Sequence, residues 1–400
     1  MTAGRGERLA IRAGVMFDGY RFHDGFHGGP VTVVVEDGRI GAVDFAGTGC
    51  PPDLPLVDLG GAALLPGLVD AHTHLCWDPD GDPEDLAREP RDALVERARR
   101  HAAAALSAGI TTLRDLGDRD FATLTLREDY TRGAEAGPEL LVSGPPLTRR
   151  GGHCWYLGGE AEDTEALVDA VRERAARGVD WVKIMATGGF TTVGTDPWRP
   201  QYDDGQLAAV VEAAHRVGLP VTAHAHATAG IAAAVAAGVD GIEHCTFLTE
   251  AGVAASPQVV EAIVGRGVWC GITIGRVLPE TPEEIRALME GVRRSIRRLV
   301  DAGAHVAFST DAGIEPAKRH DVLPDDLADL SRHGFTGTEV LAGATSAAAA
   351  SCGLGHRKGR IATGYDADLI AVPAAVRHDL AALRDVEAVW RGGRGVARRG

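Results

Sequence analysis

The sequence predicts an α/β protein: a (β/α)8 TIM barrel carrying a small β-sandwich built from the two ends of the chain. Three observations lead there. From about Val179 the chain alternates short β-rich runs with Ala-rich amphipathic stretches, each followed by Gly, the pattern of βα units around a parallel sheet. Eight such runs can be placed along the chain, the number that closes a barrel. The 400 residues exceed the roughly 250 of a bare barrel, and both ends read as strands and turns without helices.

In chain order, Ile11–Val43 shows short strands split by Gly and Asp-Gly turns, so residues 1–64 are expected to form the first part of the sandwich. Residues 65–353 are the expected barrel, with strands at Leu65–Leu75, Gly109–Gly117, Glu139–Gly144, Asp180–Gly188, Pro220–His226, Asp240–Cys245, Val268–Ile274 and His305–Asp311. Helices are expected at Pro90–Ala108, Thr164–Gly178, Asp203–Val217, Thr228–Ala237 and Glu283–Ala302, with Gly218, Gly238 and Gly303 where a C-cap is wanted. Residues 354–400, with strands in Ile361–Val396, complete the sandwich.

Composition removes whole classes of function. A formal net charge of −15 makes the surface repel nucleic acid and anionic membrane, so a small molecule is the expected partner. No stretch approaches eighteen uninterrupted apolar residues, and Met1–Ala10 carries Arg5 and Arg8 without an apolar segment, so neither a membrane span nor export is expected. Six scattered cysteines (Cys50, Cys76, Cys154, Cys245, Cys270, Cys352) include no Cys-x-x-Cys pair, which fits reduced thiols and a cytoplasmic location. Barrels of this type commonly associate, so a homo-oligomer is possible, and the sequence leaves the oligomeric state open.

The strongest chemical signal is Leu65-Pro-Gly-Leu-Val-Asp-Ala-His72-Thr-His74-Leu75, an apolar strand ending in His-x-His. Side chains two apart on a strand share a face, so both imidazoles can enter the barrel mouth and grip one ion. Lys183, His224, His244 and Asp311 fall at the C-terminal ends of later strands, where barrel chemistry resides. Each has a bland alternative: a salt-bridged core lysine, satisfied core histidines, and a helix N-cap at Asp311. Jointly with the histidine pair they point to a metal centre. His226 shares the inward face with His224, as substrate contact or supporting hydrogen-bond donor. Trp198, Arg199, Gln201 and Tyr202 lie in a long loop after Lys183, and Arg114 with Asp115 ends the second strand, as a structural pair or otherwise.

These motifs, with the phrases Val-Lys-Ile-Met-Ala-Thr-Gly-Gly, Ile-Glu-His-Cys-Thr-Phe and Gly364-Tyr-Asp-Ala-Asp-Leu-Ile, resemble the amidohydrolase superfamily, in its imidazolonepropionase-like and prolidase-like branch, from about Leu65 to Leu369. The resemblance implies two divalent metal ions bridged by an N6-carboxylated Lys183, with His72, His74 and Asp311 on the first and His224 and His244 on the second. It also implies that His153, in Gly151-Gly-His153-Cys-Trp-Tyr156, faces the substrate; Tyr156 in that motif and Tyr202 in the loop after Lys183 are expected as further substrate contacts. Two cations bridged by water lower its pKa towards neutrality, and Asp311 can take the proton from the attacking hydroxide and return it to the leaving nitrogen. Zinc is the expected metal because imidazole and carboxylate donors suit it. A full ligand set argues against a mononuclear deaminase and against a non-catalytic barrel. The expected substrate is a small amide or peptide, cleaved in the manner of a prolidase-like dipeptidase or carboxypeptidase; the alternative is a cyclic or aryl amide, an imidazolone-like ring, lactam or N-acyl amino acid.

Overall fold

A computed structural model describes residues 8–46, 53–273, 275–276 and 283–398; Arg5, Cys50 and Ile274, which figure in the expectations above, lie outside them. The eight barrel strands are β1 (Leu68–Thr73), β2 (Ile110–Asp115), β3 (Glu139–Val142), β4 (Val182–Met185), β5 (Val221–Ala227), β6 (Gly241–Thr249), β7 (Trp269–Ile272) and β8 (His305–Phe308). Within each run, β1–β2–β3 and β4 to β8, neighbouring strands pair in parallel.

The two remaining seams close beyond the regular strands. Leu147 lies beside β4, donating its N–H to the Lys183 carbonyl and accepting from Met185, both at 2.8 Å. Asp311 donates to the His72 carbonyl at 2.8 Å and His74 to the Ala312 carbonyl at 2.9 Å. Both closures therefore sit at residues that the sequence marks as chemical.

The expected helices form within a residue or two of their predicted limits: α1 (Arg91–Ser107), α3 (Thr164–Arg177), α4 (Asp204–Arg216), α5 (Thr228–Ala237) and α7 (Glu283–Asp301), with α2 (Ala122–Thr131), α6 (Pro257–Arg266) and α8 (Leu323–Leu330) between and after them. Start signals are specific: Asp203 accepts from the Gln206 N–H while the Gln206 side chain returns to Asp203, a complete capping box. Gly238, at φ 89°, ends α5 in the left-handed conformation that favours glycine.

The chain ends meet in a β-sandwich, as expected. One sheet orders Arg39–Asp44, Val31–Glu36, Arg8–Ala13 and Leu56–Asp58; the other orders Arg394–Arg398, Ala388–Arg391, Leu369–Val372, Ala63–Pro66, Val15–Phe17 and Phe22–His23. Between them Val31, Val33 and Val35 pack with Ile11, Met16, Leu64, Leu369 and Trp390. The run Leu65–Leu75, expected as one strand, is two. Ala63–Pro66 pairs antiparallel with Leu369–Val372 in the sandwich, and β1 starts at Leu68. Gly67 marks the break, where a Cβ would stand 2.1 Å from the Thr111 hydroxyl.

Cys76, Cys154, Cys245, Cys270 and Cys352 are buried and unpaired. Among the described residues, no helix is long and apolar enough to cross a membrane.

Candidate metal centre

On β1 the period of two puts His72 and His74 on one face. Each ring is held by its far nitrogen, which leaves Nε2 aimed inward. His72 Nδ1–H donates to Glu243 at 2.8 Å, and His74 Nδ1–H donates to the Gly117 carbonyl at 3.0 Å. The two Nε2 atoms lie 3.3 and 3.2 Å from Asp311 Oδ1. Asp311 reaches this position with φ at +60°, a conformation that costs an L-residue energy and persists where the surroundings over-determine it. It caps no helix, because the next one begins at Leu323.

Across the mouth stand three further imidazoles. His224 donates through Nε2 to the Gly188 carbonyl at 3.1 Å, His226 Nδ1 pairs with the Thr246 hydroxyl at 3.0 Å, and His244 Nδ1 pairs with the Thr273 hydroxyl at 2.6 Å. A bulge in β6 creates this grouping. Between the pairs Ala225–His244 and Ala227–Leu248, one residue of β5 faces three of β6, and His244, Cys245 and Phe247 all have positive φ. The ring centroids of His224 and of His226 each lie 4.6 Å from that of His244.

Two trios of donor atoms result, His72–His74–Asp311 and His224–His226–His244, each within 4.8 Å of one another and buried. Lys183 stands beside the first, its Nζ 3.4 Å from His72 Nε2. Burial pulls its amine down to about 8. Burial likewise lowers His72 to about 4 and both His153 and His226 to about 3, so these rings are neutral at pH 7 with lone pairs free for a cation. For Asp311 burial acts upward, but His72, His74 and Lys318 hold the carboxyl well below the usual range. Neutral imidazoles with one carboxylate per pair of ions are a donor set suited to divalent metal.

His72, His74, His153, Lys183, His224, His226, His244 and Asp311 all line one cavity of about 580 Å³. His153 stands over the second trio, its ring 4.5 Å from His224, with Nδ1 paired to the Thr192 hydroxyl at 3.1 Å. The expected tyrosine contacts are corrected. Tyr156 packs behind Trp77, ring centroids 5.5 Å apart, with its hydroxyl towards Cys154. Tyr202 donates to the Ala161 carbonyl at 2.9 Å, just ahead of α4. Neither lines the cavity.

Several supporting residues escaped the sequence reading. Glu243 is 1% exposed and accepts from His72, from Arg114 at 3.1 Å and from Thr222 at 2.7 Å. Burial would raise its carboxyl, yet His72 and Arg114 hold it below the carboxylate range. Its signal was present: a carboxylate inside the apolar run Gly-Ile-Glu-His-Cys demands a partner as Lys183 does. Arg114 and Asp115 are not each other's partners. Arg114 serves Glu243, while Asp115 accepts from the Leu75 and Gly117 N–H groups at 2.7 and 3.1 Å. Behind β1, His320 donates to the His74 carbonyl at 3.1 Å and stacks at 3.9 Å on His101.

A barrel whose mouth gathers two such trios around a buried lysine defines a metal-dependent hydrolase acting on carbon–nitrogen bonds. The Amidohydrolase family model matches residues 63–396, and the chain belongs to that family. It is 27% identical over 376 residues to ochratoxinase of Aspergillus niger, covering 83% of this chain and 75% of the relative. It is 29% identical over 366 residues to imidazolonepropionase of Streptomyces griseus, with 85% and 86% covered. A Xaa-Pro dipeptidase crystallised with methionine in its active site superposes with a TM-score of 0.83 at 25% identity, over 97% of this chain and 99% of that one.

Proposed function

We propose that the protein is a binuclear hydrolase of a small amide or peptide, with prolidase-like dipeptidase or carboxypeptidase activity. The observation that carries this is the pair of donor trios facing one cavity, with Lys183 in the same lining, 3.4 Å from His72. When bound, two divalent ions, zinc by the donor set, supply Lewis acidity and bring a water close to neutral pKa. His72, His74 and Asp311 hold one ion; His224 and His244 hold the other, with His226 beside them as a further donor or substrate contact. Burial draws Lys183 down to about 8, which enlarges the share of neutral amine, the form that can add CO2 and release a proton. The resulting carbamate is an anion both trios can share, and it removes the cost of a buried ammonium. Asp311 accepts the proton of the attacking water through Oδ2 and delivers it to the departing nitrogen. His153, aimed at the cavity, donates to the substrate's carbonyl or carboxylate.

A second reading draws on the cavity wall, where Phe190, Leu248, Ile285, Leu288 and Met289 present apolar surface to the substrate. That wall suits an aryl or N-acyl amide as well as a hydrophobic dipeptide. Purified protein expressed with zinc and bicarbonate is expected to carry close to two metals per chain and to turn over members of a panel of dipeptides, N-acyl amino acids and lactams. One metal or fewer would sink the binuclear reading. Lys183→Ala should lose metal and most activity together, with partial rescue by short carboxylic acids; full activity in that variant would make Lys183 structural.

A further inference from the structure

We propose that Thr192 is a positioning residue that fixes His153 in a single tautomer, its ring proton on Nε2 and facing the cavity, so that His153 acts as a hydrogen-bond donor to the substrate and not as a metal ligand or base. This deepens the amide-hydrolase reading above, on which the substrate role of His153 rests.

A neutral imidazole has one N–H and one lone pair, and its neighbours decide which nitrogen carries which. Around the cavity mouth those neighbours are specific. His72 and His74 meet a carboxylate and a carbonyl through Nδ1, groups that only accept, so their lone pairs stand on Nε2. His224 gives its Nε2–H to the Gly188 carbonyl, which leaves its lone pair on Nδ1. His226 pairs through Nδ1 with the Thr246 hydroxyl, whose own proton goes to the His226 carbonyl at 3.3 Å. Nδ1 is therefore the donor there, and Nε2 keeps the lone pair.

At His153 the direction is reversed. Its Nδ1 also faces a hydroxyl, that of Thr192 at 3.1 Å, but this oxygen already accepts the Cys154 N–H at 2.9 Å. Among the described residues the Thr192 hydroxyl has no other hydrogen-bond partner, and Thr192 is 2% exposed. A hydroxyl proton turned away from Nδ1 would be buried without an acceptor, which is disfavoured. The hydroxyl therefore donates to Nδ1, and the ring proton stands on Nε2.

The segment after β4 holds this contact in place. Thr192 is buried although Val193 beside it is 90% exposed, and both the N–H and the hydroxyl of Thr195 donate to the Thr192 carbonyl, at 3.2 and 2.9 Å. Gln201 accepts the His153 backbone N–H at 2.8 Å. Gly189 keeps the approach to Nε2 open, since a Cβ there would stand 2.3 Å from that nitrogen. An N–H cannot bind a cation, so His153 stays out of the ligand set even though its ring lies 4.5 Å from that of His224. It can instead meet the negative charge that grows on the substrate's carbonyl oxygen.

Nitrogen-15 NMR of the zinc-loaded protein with labelled histidine tests this, because the two neutral tautomers give different ring correlations. His153→Gln identifies the His153 signals by difference. The parent is expected to carry the proton of His153 on Nε2, a result that needs no Thr192 variant. Thr192→Val should shift the Nδ1 resonance, whose lone pair loses its donor, and let the Nδ1–H form appear; Thr192→Ser should restore the parent pattern, with metal content unchanged in both. On any panel member that the parent hydrolyses, Thr192→Val should lose about 10–100-fold in kcat with KM little changed, a part of what a lost oxyanion donor costs. An Nδ1–H tautomer in the parent, a His153 spectrum unchanged in Thr192→Val, or an unchanged kcat in that variant overturns the proposal. Nε2–H at His153 in a protein that hydrolyses no amide upholds the tautomer and defeats the hydrolase reading. Amide hydrolysis with Nδ1–H at His153 does the reverse.

Discussion

At the scale of single residues, Asp311 carries the sharpest expectation. Its backbone is in the left-handed region, its Oδ1 meets both His72 and His74, and its Oδ2 is turned towards Lys318. In its proposed role of proton carrier it should be intolerant of Asn, which keeps the shape and one donor oxygen but cannot take up a proton. Asp311→Asn is expected to hold its melting temperature and much of its metal while losing about 10²–10⁴-fold in kcat. Turnover within a factor of a few of the parent refutes the role. Asp311 and its partner histidines were legible in the sequence because strand ends and His-x-His spacing are local signals. Tyr156 and Tyr202 were not readable in this way, since nothing local says that Trp77 screens one ring and that Ala161 takes the other's hydroxyl.

At the scale of elements, the site depends on how β1, β2, β5, β6 and β7 meet at Glu243. The carboxylate orients His72, and it is itself fixed by Arg114 and Thr222. Gly271 on β7 makes room for it, because a Cβ there would stand 2.2 Å from Glu243 Oε2. Gly271→Ala is therefore expected to push the carboxylate off His72 and weaken metal binding about 10–100-fold, the usual cost of disturbing a ligand's hydrogen-bond partner. Chelator competition measures it, with circular dichroism as the check that the barrel persists. A metal affinity equal to the parent's means that Glu243 does not orient the ligand. His72 and Glu243 are 171 residues apart, so no spacing rule could have paired them.

At the scale of the molecule, sandwich and barrel are joined by a charge network around Glu139, the first residue of β3. Arg357 holds it through both guanidinium ends, while Lys358 lies 3.0 Å away and Arg391 3.2 Å. Burial acts to raise the Glu139 carboxyl, but these three cations prevail and draw it down to about 2 from 4.5. A depressed folded-state pKa means stability that is fully present above about 4.5 and lost as pH falls towards 2. Glu139→Gln should cost on the order of 1–3 kcal/mol at pH 7, leaving three cations short of an anion. The gap in melting temperature from the parent should then narrow between pH 4.5 and 2, where the parent's own carboxyl becomes neutral. A gap that is absent at pH 7, or that stays constant down to pH 2, refutes the bolt.

By itself the sequence determined the βα alternation, the sandwich at the two ends, the helix limits and the donor residues at strand ends, because periodicity, caps and strand-end position act over a few residues. Only the tertiary structure decided the break at Gly67, the bulge that brings His226 into line with His224 and His244, and the partnership of Glu243 with Arg114. Each of those is a contact between segments far apart in the chain, and long-range contacts are set by how the closed barrel packs.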